Sequence, residues 1–248
     1  MNQREYLADL AYVHSGEWPR IADAIRKKQQ PYHCMKHENY ITIADEEYPD
    51  CLRQLRFPPW VLFYKGDISL LKQPMITIVG SRDLCAYGKQ MSEMAASILQ
   101  EKYVIVSGLA RGADAVVAHT AMACGGKTIA VIGSGLGTHY PYENEYLYEQ
   151  IAENGLILSE YPYPTGVRKH HFPWRNRILA GLGESLIVTQ AKENSGTMIT
   201  VNEALNLSKD VYCIPYPMDD VHGGGCNRLI EEGAGMVYSR QQLIDLLC

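Results

Sequence analysis

Residues 168–177 concentrate positive charge and aromatic rings without a single carboxylate. The segment, RKHHFPWRNR, holds four permanent cations, two histidines and two aromatic side chains. It stands out because the whole chain is acidic, with a formal net charge of −5. Binding of a single-stranded nucleic acid requires cations that follow the phosphates and rings that stack on the bases. The segment therefore predicts such a contact, and a solvated basic surface at a helix start is the alternative.

Loops rich in glycine and serine supply a second kind of candidate site. They are Gly80-Ser81-Arg82, Ser107-Gly108-Leu109-Ala110-Arg111 and Ser195-Gly196-Thr197, and the last of them opens a helix-length segment. Glycine lets backbone amides approach an anion closely, and a helix N-terminus adds free N–H groups. Arg82 and Arg111 contribute forked donors that suit phosphate oxygens. Together the loops predict a phosphate-binding rim.

Motifs of common enzymes and metal sites are missing from the sequence. The run Gly133-Ser134-Gly135-Leu136-Gly137 fails the dinucleotide fingerprint, because Thr138 stands where the last glycine belongs. Neither a P-loop nor a nucleophile elbow occurs. His170 and His171 have no partners at metal-ligand spacing. We therefore predict no enzymatic activity, no cofactor and no bound metal.

Seven short segments alternate with helix-length segments from residue 75 onward. Each is nearly continuous in apolar character and rich in Val and Ile, which is typical of strands that crossover helices bury on both faces. The alternation predicts an α/β fold with a doubly wound, mostly parallel sheet. The predicted strands are residues 75–80, 103–107, 128–133, 156–160, 185–189, 211–215 and 236–239, and the predicted helices are 88–101, 113–124, 143–153, 175–182, 197–207 and 227–232.

The first 66 residues differ from this pattern. Short amphipathic segments precede a mixed region in which Pro58-Pro59 breaks any long helix. We predict a small N-terminal helical or mixed appendage at residues 1–66, joined to a main domain at residues 67–248. The predicted elements of the appendage are helices at 4–13 and 19–28 and possible strands at 41–43 and 60–64.

Composition sets further bounds. No apolar stretch approaches the roughly 20 residues that span a bilayer, and the acids near the N-terminus argue against a signal peptide. The seven cysteines are scattered and form no C-x-x-C pair, which favours a reducing cytoplasm. With a pI near 5.9, any binding of anions has to be local rather than a matter of bulk charge.

Seven motifs follow one another through residues 79–234. They are VGSR (79–82), SGLARGAD (107–114), GGKTIAVIGSGL (125–136), LSEYP (158–162), FPWRNRILAGL (172–182), SGTMITVNEA (195–204) and GGCNRLIEEGA (224–234). In this order they resemble the DNA-processing protein A family (DprA, or Smf). The resemblance implies an extended Rossmann-like domain that binds single-stranded DNA. It also implies protection of incoming DNA and loading of the RecA recombinase during natural transformation, usually by a homodimer.

The resemblance also assigns roles to residues. It places the three glycine- and serine-rich loops around the phosphate, Lys169 on a phosphate and Phe172 against a base, and it adds Lys127 to the basic surface. The candidate DNA-binding set is completed by Arg175, Asn176 and Arg177 of the FPWRNR motif.

Several of these residues have structural alternatives. Arg175 and Arg177 suit a structural salt link as well as DNA. Arg111 has an ion pair with Asp114 as its alternative. If Phe172 belongs to the core, Trp174 becomes the stacking ring.

Two other functions are compatible with such a sheet. Phosphoribohydrolases of the lysine-decarboxylase-like group carry P-G-G-x-G-T-x-x-E, and Gly196-Thr197 resembles that helix start. Thr200 stands at the place of the glutamate and the nearest carboxylate is Glu203, so the general acid/base is missing. A sensor of a small nucleotide is the other alternative, and it would need the pocket but not the basic segment.

Overall fold

Short apolar segments form one mixed sheet in the computed structural model, which describes residues 2–32, 34–36 and 38–247. Within that part of the chain the sheet has nine strands. The strands are β1 (Asn39–Thr42), β2 (Val61–Gly66), β3 (Met75–Val79), β4 (Val104–Ser107), β5 (Thr128–Ile132), β6 (Leu156–Ser159), β7 (Leu186–Val188), β8 (Val211–Cys213) and β9 (Gly235–Met236). Their order is β1-β2-β6-β5-β4-β3-β7-β8-β9. Strands β3 to β9 pair in parallel, so the predicted doubly wound α/β fold is confirmed.

Helices connect the strands. They are α1 (Gln3–Val13), α2 (Trp18–Arg26), α3 (Asp50–Arg53), α4 (Ala86–Leu99), α5 (Ala113–Ala123), α6 (Glu145–Asn154), α7 (His171–Leu182), α8 (Thr197–Asn206), α9 (Gly224–Glu231) and α10 (Arg240–Asp245). Two 3-10 turns lie at Ile68–Lys72 and Tyr142–Asn144. Helix α7 begins at His171 rather than at the predicted residue 175. It includes Pro173 because a proline in the first turn of a helix forfeits no hydrogen bond.

Both faces of the sheet are buried. Ile76 and Ile78 of β3 lie in a cluster with residues of α4 and α5, whereas Met75 and Val79 lie in a cluster with residues of α7 and α8. Side chains alternate between the faces of a strand, so a strand covered on both sides needs apolar residues at every position. This burial explains the continuous apolar character of the predicted strands.

The N-terminal part contributes to the same sheet. Strand β2 pairs antiparallel with β6, and β1 pairs antiparallel with β2. Leu10 of α1 and Ile21 of α2 belong to one apolar cluster with Phe63 of β2. Residues 39–66 therefore extend the sheet of the larger unit, and a domain boundary at residue 66 stays a prediction.

Two smaller observations concern cysteines and membranes. The six described cysteines are free thiols, and the seventh, Cys248, lies outside the described residues. Among the helices of residues 2–32, 34–36 and 38–247, none has the length and apolarity to cross a bilayer.

Candidate nucleic-acid interface

A cleft of about 700 Å³ opens where strand β3 ends. From β3 the chain continues on one side of the sheet to β4, β5 and β6, whereas β7 and β8 lie on the other side. The boundary between β3 and β7 is thus the topological switch point, where open α/β sheets bind ligands beyond the carboxyl ends of their strands. The cleft has the position that the loop pattern predicts.

Eleven of the predicted site residues line this cleft. They come from the loop after β3, the loop after β4, the segment that leads into α7, and the start of α8. They are Gly80, Ser81, Arg82, Ala110, Lys169, Phe172, Arg175, Asn176, Ser195, Gly196 and Thr197.

The start of α8 forms one wall of the cleft. The Thr197 hydroxyl donates to the Gly80 carbonyl oxygen at 3.1 Å, which joins the helix start to the loop after β3. A side chain at Gly196 would meet nothing within 4 Å, so this end of the helix is open. The Ser195 Oγ is buried and has no hydrogen-bond partner among the described residues. A buried hydroxyl normally finds a partner, and here it lies at the N-terminal end of α8, where the helix dipole favours an anion.

An aromatic ring and exposed cations form the opposite wall. Phe172 is half-buried, and the guanidinium carbon of Arg82 lies 5.6 Å from the centre of its ring. The ring of Tyr140, which is 51% exposed, lies 5.5 Å from that of Phe172. Lys169 is exposed three residues before Phe172. Rings and cations so close together can take a base and its phosphate at once.

The cleft carries a surplus of positive charge, although the whole chain is acidic. Lys192 lies 3.6 Å from Asp83 in a solvent-exposed pair, and such pairs contribute little because water screens them. The charged residues that line the cleft are the four cations Arg82, Lys169, Arg175 and Lys192 and the two carboxylates Asp83 and Asp114.

Arg175 lies at the base of the cleft and links the two strand ends that form it. Its Nη1 donates to the carbonyl oxygen of Gly108 at 2.8 Å and to that of Val131, so it joins the ends of β4 and β5. Burial lowers the pKa of Arg175 to about 10, and the charge of Asp114 opposes this shift, so the guanidinium stays charged at neutral pH. For the acidic Asp114, burial disfavours the charged form in the same way and therefore raises the pKa. Its carboxylate accepts a hydrogen bond from the Ala110 N–H at 3.3 Å.

The whole arrangement has counterparts in known proteins. The family model for DNA recombination-mediator protein A matches residues 39–247. This chain belongs to that family. DNA processing protein DprA of Streptococcus pneumoniae is 43% identical over 203 residues, which cover 82% of this chain and 72% of that protein.

Two solved structures of the family resemble the fold. The crystal structure of DprA from S. pneumoniae matches with a TM-score of 0.82 and 40% identity, over 92% of this chain and 80% of that one. DNA processing protein A from Helicobacter pylori, whose structure was described for its single-stranded DNA binding mode, matches with a TM-score of 0.77 and 33% identity, over 86% of this chain and 98% of that one.

Six residues of this DprA family member that were predicted to contact DNA do not line the cleft. They are Ser107, Gly108, Leu109, Arg111, Lys127 and Arg177. Arg111 is exposed and pairs with Glu143, and the alternative pair with Asp114 does not form. Lys127 immediately precedes β5 and donates to the Asn154 carbonyl oxygen at 3.0 Å. It therefore lies at the amino-terminal edge of the parallel strands, opposite the cleft, and the structure gives no support to its assignment to the binding surface.

Arg177 and its neighbour Trp174 point away from the cleft. The Arg177 Nη2 donates to Glu160 Oε1 at 2.6 Å, and both side chains are buried. The guanidinium also lies 4.3 Å from the ring centre of Trp174, which in turn contacts Phe57. Arg177 is thus the structural salt link that the sequence left as an alternative, and Phe172 rather than Trp174 faces the cleft.

The loop after β4 is mainly structural. The Ser107 hydroxyl donates to the Ile78 carbonyl oxygen at 2.9 Å, and Leu109 is buried in the core with a φ of 56°. A Cβ atom on Gly108 would lie 2.5 Å from Asp114 Oδ2 and 2.7 Å from the Arg175 guanidinium. Glycine is needed at this position because these side chains pack against it.

The exposed side chains of the cleft that sequence reasoning missed include an aromatic ring and a cation. Tyr140 and Lys192 line the cleft, and each follows the carboxyl end of a parallel strand, β5 and β7 respectively. The rule that located the glycine-rich loops therefore also applies to them, since Tyr140 follows Gly137 in the loop after β5 and Lys192 precedes Ser195 in the loop after β7.

Proposed function

We propose that this DprA family member binds single-stranded DNA in the cleft at the start of α8. The observation that carries the proposal is the buried, unpartnered Ser195 hydroxyl at an open helix N-terminus, in a cleft that also holds Arg82 and Lys169. These groups suit a phosphate. Phe172 then stacks on a base, and Tyr140 extends the aromatic surface. The single-stranded DNA binding described for the H. pylori relative supports this assignment.

The wider role that we propose follows the family. The protein protects incoming single-stranded DNA in the cytoplasm and loads the RecA recombinase onto it during natural transformation, as a homodimer and without a catalytic step of its own. Support comes from the match to the recombination-mediator family and to the S. pneumoniae relative. Assembly of RecA on DNA coated with single-strand binding protein, measured with and without this protein, tests the loading step.

We expect binding of single-stranded DNA to exceed binding of blunt duplex and to fall with salt. Three exposed cations line the cleft, Arg82, Lys169 and Lys192. Each phosphate neutralised on a single strand contributes roughly −0.7 to the slope of log affinity against log salt, so the slope should be about −2. With that slope, the affinity for single-stranded DNA falls about 20-fold between 50 and 200 mM salt. Fluorescence anisotropy with a labelled oligonucleotide measures it.

Competitors in the same assay separate the alternatives. Unlabelled single strand should displace the probe, whereas duplex and nucleoside monophosphates should do so weakly. The proposal is contradicted if blunt duplex binds with the same affinity as the single strand, or if the affinity does not change with salt concentration. A mononucleotide that competes as well as the oligonucleotide identifies a nucleotide sensor instead.

We expect no release of free base from nucleoside monophosphates. Thr200, at the place of the hydrolase glutamate, lines the cleft and is buried. Glu203 is half-buried farther along α8 and does not line the cleft, so a general acid/base is missing at the ribose. Chromatography of the incubated nucleotides measures the release, with Glu203→Gln as the matched variant. Release by the parent protein that Glu203→Gln abolishes establishes the enzyme in place of our proposal.

A further inference from the structure

The sequence predicts no bound metal because His170 and His171 lack a partner at metal-ligand spacing, but the fold brings a third potential ligand to them beside the cleft. The three potential ligands are Glu17, which precedes α2, and His170 and His171 at the start of α7. Glu17 Oε1 lies 3.1 Å from His170 Nε2 and 3.4 Å from His171 Nε2. The side chains of His171 and Glu17 are 0% and 18% exposed, whereas that of His170 is 62% exposed, so the cluster opens to solvent on the His170 side.

The hydrogen bonds of His171 determine which of its nitrogens is free. Its Nδ1 lies 3.1 Å from the Gly133 carbonyl oxygen, which can only accept, so Nδ1 carries the hydrogen. The other ring nitrogen, Nε2, lies on the side of Glu17 and is the one that a metal ion held by Glu17 would contact.

The spacing also suits a metal ion. A carboxylate oxygen and two imidazole nitrogens converge, all within 4.8 Å of one another. Ligand atoms around tetrahedral Zn²⁺ lie roughly 3.3 Å apart, given bonds of about 2.0–2.1 Å. The two distances from Glu17 are close to that value. A backbone carbonyl that fixes the tautomer of a histidine is also the usual outer partner of a metal-bound imidazole.

We propose that Glu17, His170 and His171 bind one divalent transition-metal ion, with Zn²⁺ as the preferred ion. Two imidazoles and one carboxylate are a donor set that suits zinc and its neighbours in the first transition row. The site goes beyond the proposed DNA binding. It would attach α2 to the segment that carries Lys169 and Phe172, and it can be measured without DNA.

One cation competes for the same carboxylate. Arg168 Nη1 lies 3.0 Å from Glu17 Oε1, in a side chain that is 47% exposed. Because it is exposed, this guanidinium can turn into solvent when a metal binds. Arg168→Ala should therefore bind the metal more tightly than the parent chain, by a few-fold, since it keeps all three ligands and removes a positive charge.

Titration of the chelator-treated full chain with ZnCl₂ in a calorimeter tests the site. We expect Zn²⁺ binding that His170→Ala and Glu17→Gln each weaken by at least about tenfold, since even outer-shell changes cost that much. His119→Ala removes an exposed histidine outside the cluster and should bind like the parent. Thermal melts without metal verify that every variant is folded.

Visible spectra with CoCl₂ provide a second readout. The parent chain should give the d–d bands of a site with nitrogen and oxygen ligands, and His170→Ala should lose them. Binding that is absent in the parent, or that survives both His170→Ala and Glu17→Gln, overturns the proposal. Neither result bears on DNA affinity, so a failure here is distinct from a failure of the proposed function.

Discussion

Replacing Lys169 and Phe172 together by alanine should lower affinity for single-stranded DNA about 100-fold or more. The double variant removes an exposed cation and the ring that forms one wall of the cleft. A charge-assisted contact is worth roughly 1.5–3 kcal/mol and a stacked base roughly 1–3 kcal/mol. Their sum corresponds to a loss of about two or more factors of ten. Anisotropy titration at fixed salt measures the loss.

Lys127→Ala is the matched control for this experiment. It also removes an exposed cation, but from the opposite edge of the sheet, so affinity should stay within about twofold of the parent because its charge is remote and screened. Thermal melts should be similar for all three proteins. A double variant that is folded and binds like the parent would remove this cleft from the DNA site, and a large loss in Lys127→Ala would restore the amino-terminal edge as a candidate surface.

Arg177→Ala should lower the free energy of unfolding by about 3–5 kcal/mol, because removing one partner of a buried pair leaves the other uncompensated. The side chains of Arg177 and Glu160 are 4% and 3% exposed, and their atoms are 2.6 Å apart. The change also deletes the bond from Arg177 Nε to the Phe57 carbonyl oxygen. Against a total stability of roughly 5–15 kcal/mol, urea denaturation should reveal a large shift of the midpoint.

Two comparison variants test the cause of this loss. Arg228→Ala breaks an exposed pair with Glu232, whose side chains are 57% and 53% exposed, and should cost no more than about 0.5 kcal/mol. The double variant Arg177→Met with Glu160→Leu removes both buried charges and should recover part of the stability. If Arg177→Ala proves as mild as Arg228→Ala, the buried pair contributes little. If the double variant is no more stable than Arg177→Ala, the packing of Arg177 outweighs its charge.

Most of the fold was predictable because the sheet is buried on both faces. Burial on two sides demands an apolar residue at every position of a strand, and that signal is local, so β3 to β8 lie within the predicted segments. The start of α7 was less predictable. Pro173 normally ends a helix in a sequence pattern, yet it fits the first turn.

The cleft was predictable to the extent that it depends on where strands end. The loop after β3, the start of α8 and the pair Lys169 and Phe172 all line it. Gly108 was interpreted as making room for a phosphate, and the side chains that come close to it in the structure are those of Asp114 and Arg175. A glycine in a sequence indicates that another group packs closely against the backbone, but it does not indicate whether that group is a ligand or a side chain of the protein. The identity of the neighbour depends on contacts between distant segments.

By itself, the sequence determined the α/β class, the edge of the sheet that carries the site and the presence of a cationic, aromatic segment. Tertiary structure decided which of those cations face solvent. Arg175 contacts a carbonyl oxygen 67 residues away, and His171 faces a carboxylate 154 residues away. Whether a charge is available for a ligand depends on its partner and its burial, and both arise from contacts that no local pattern encodes.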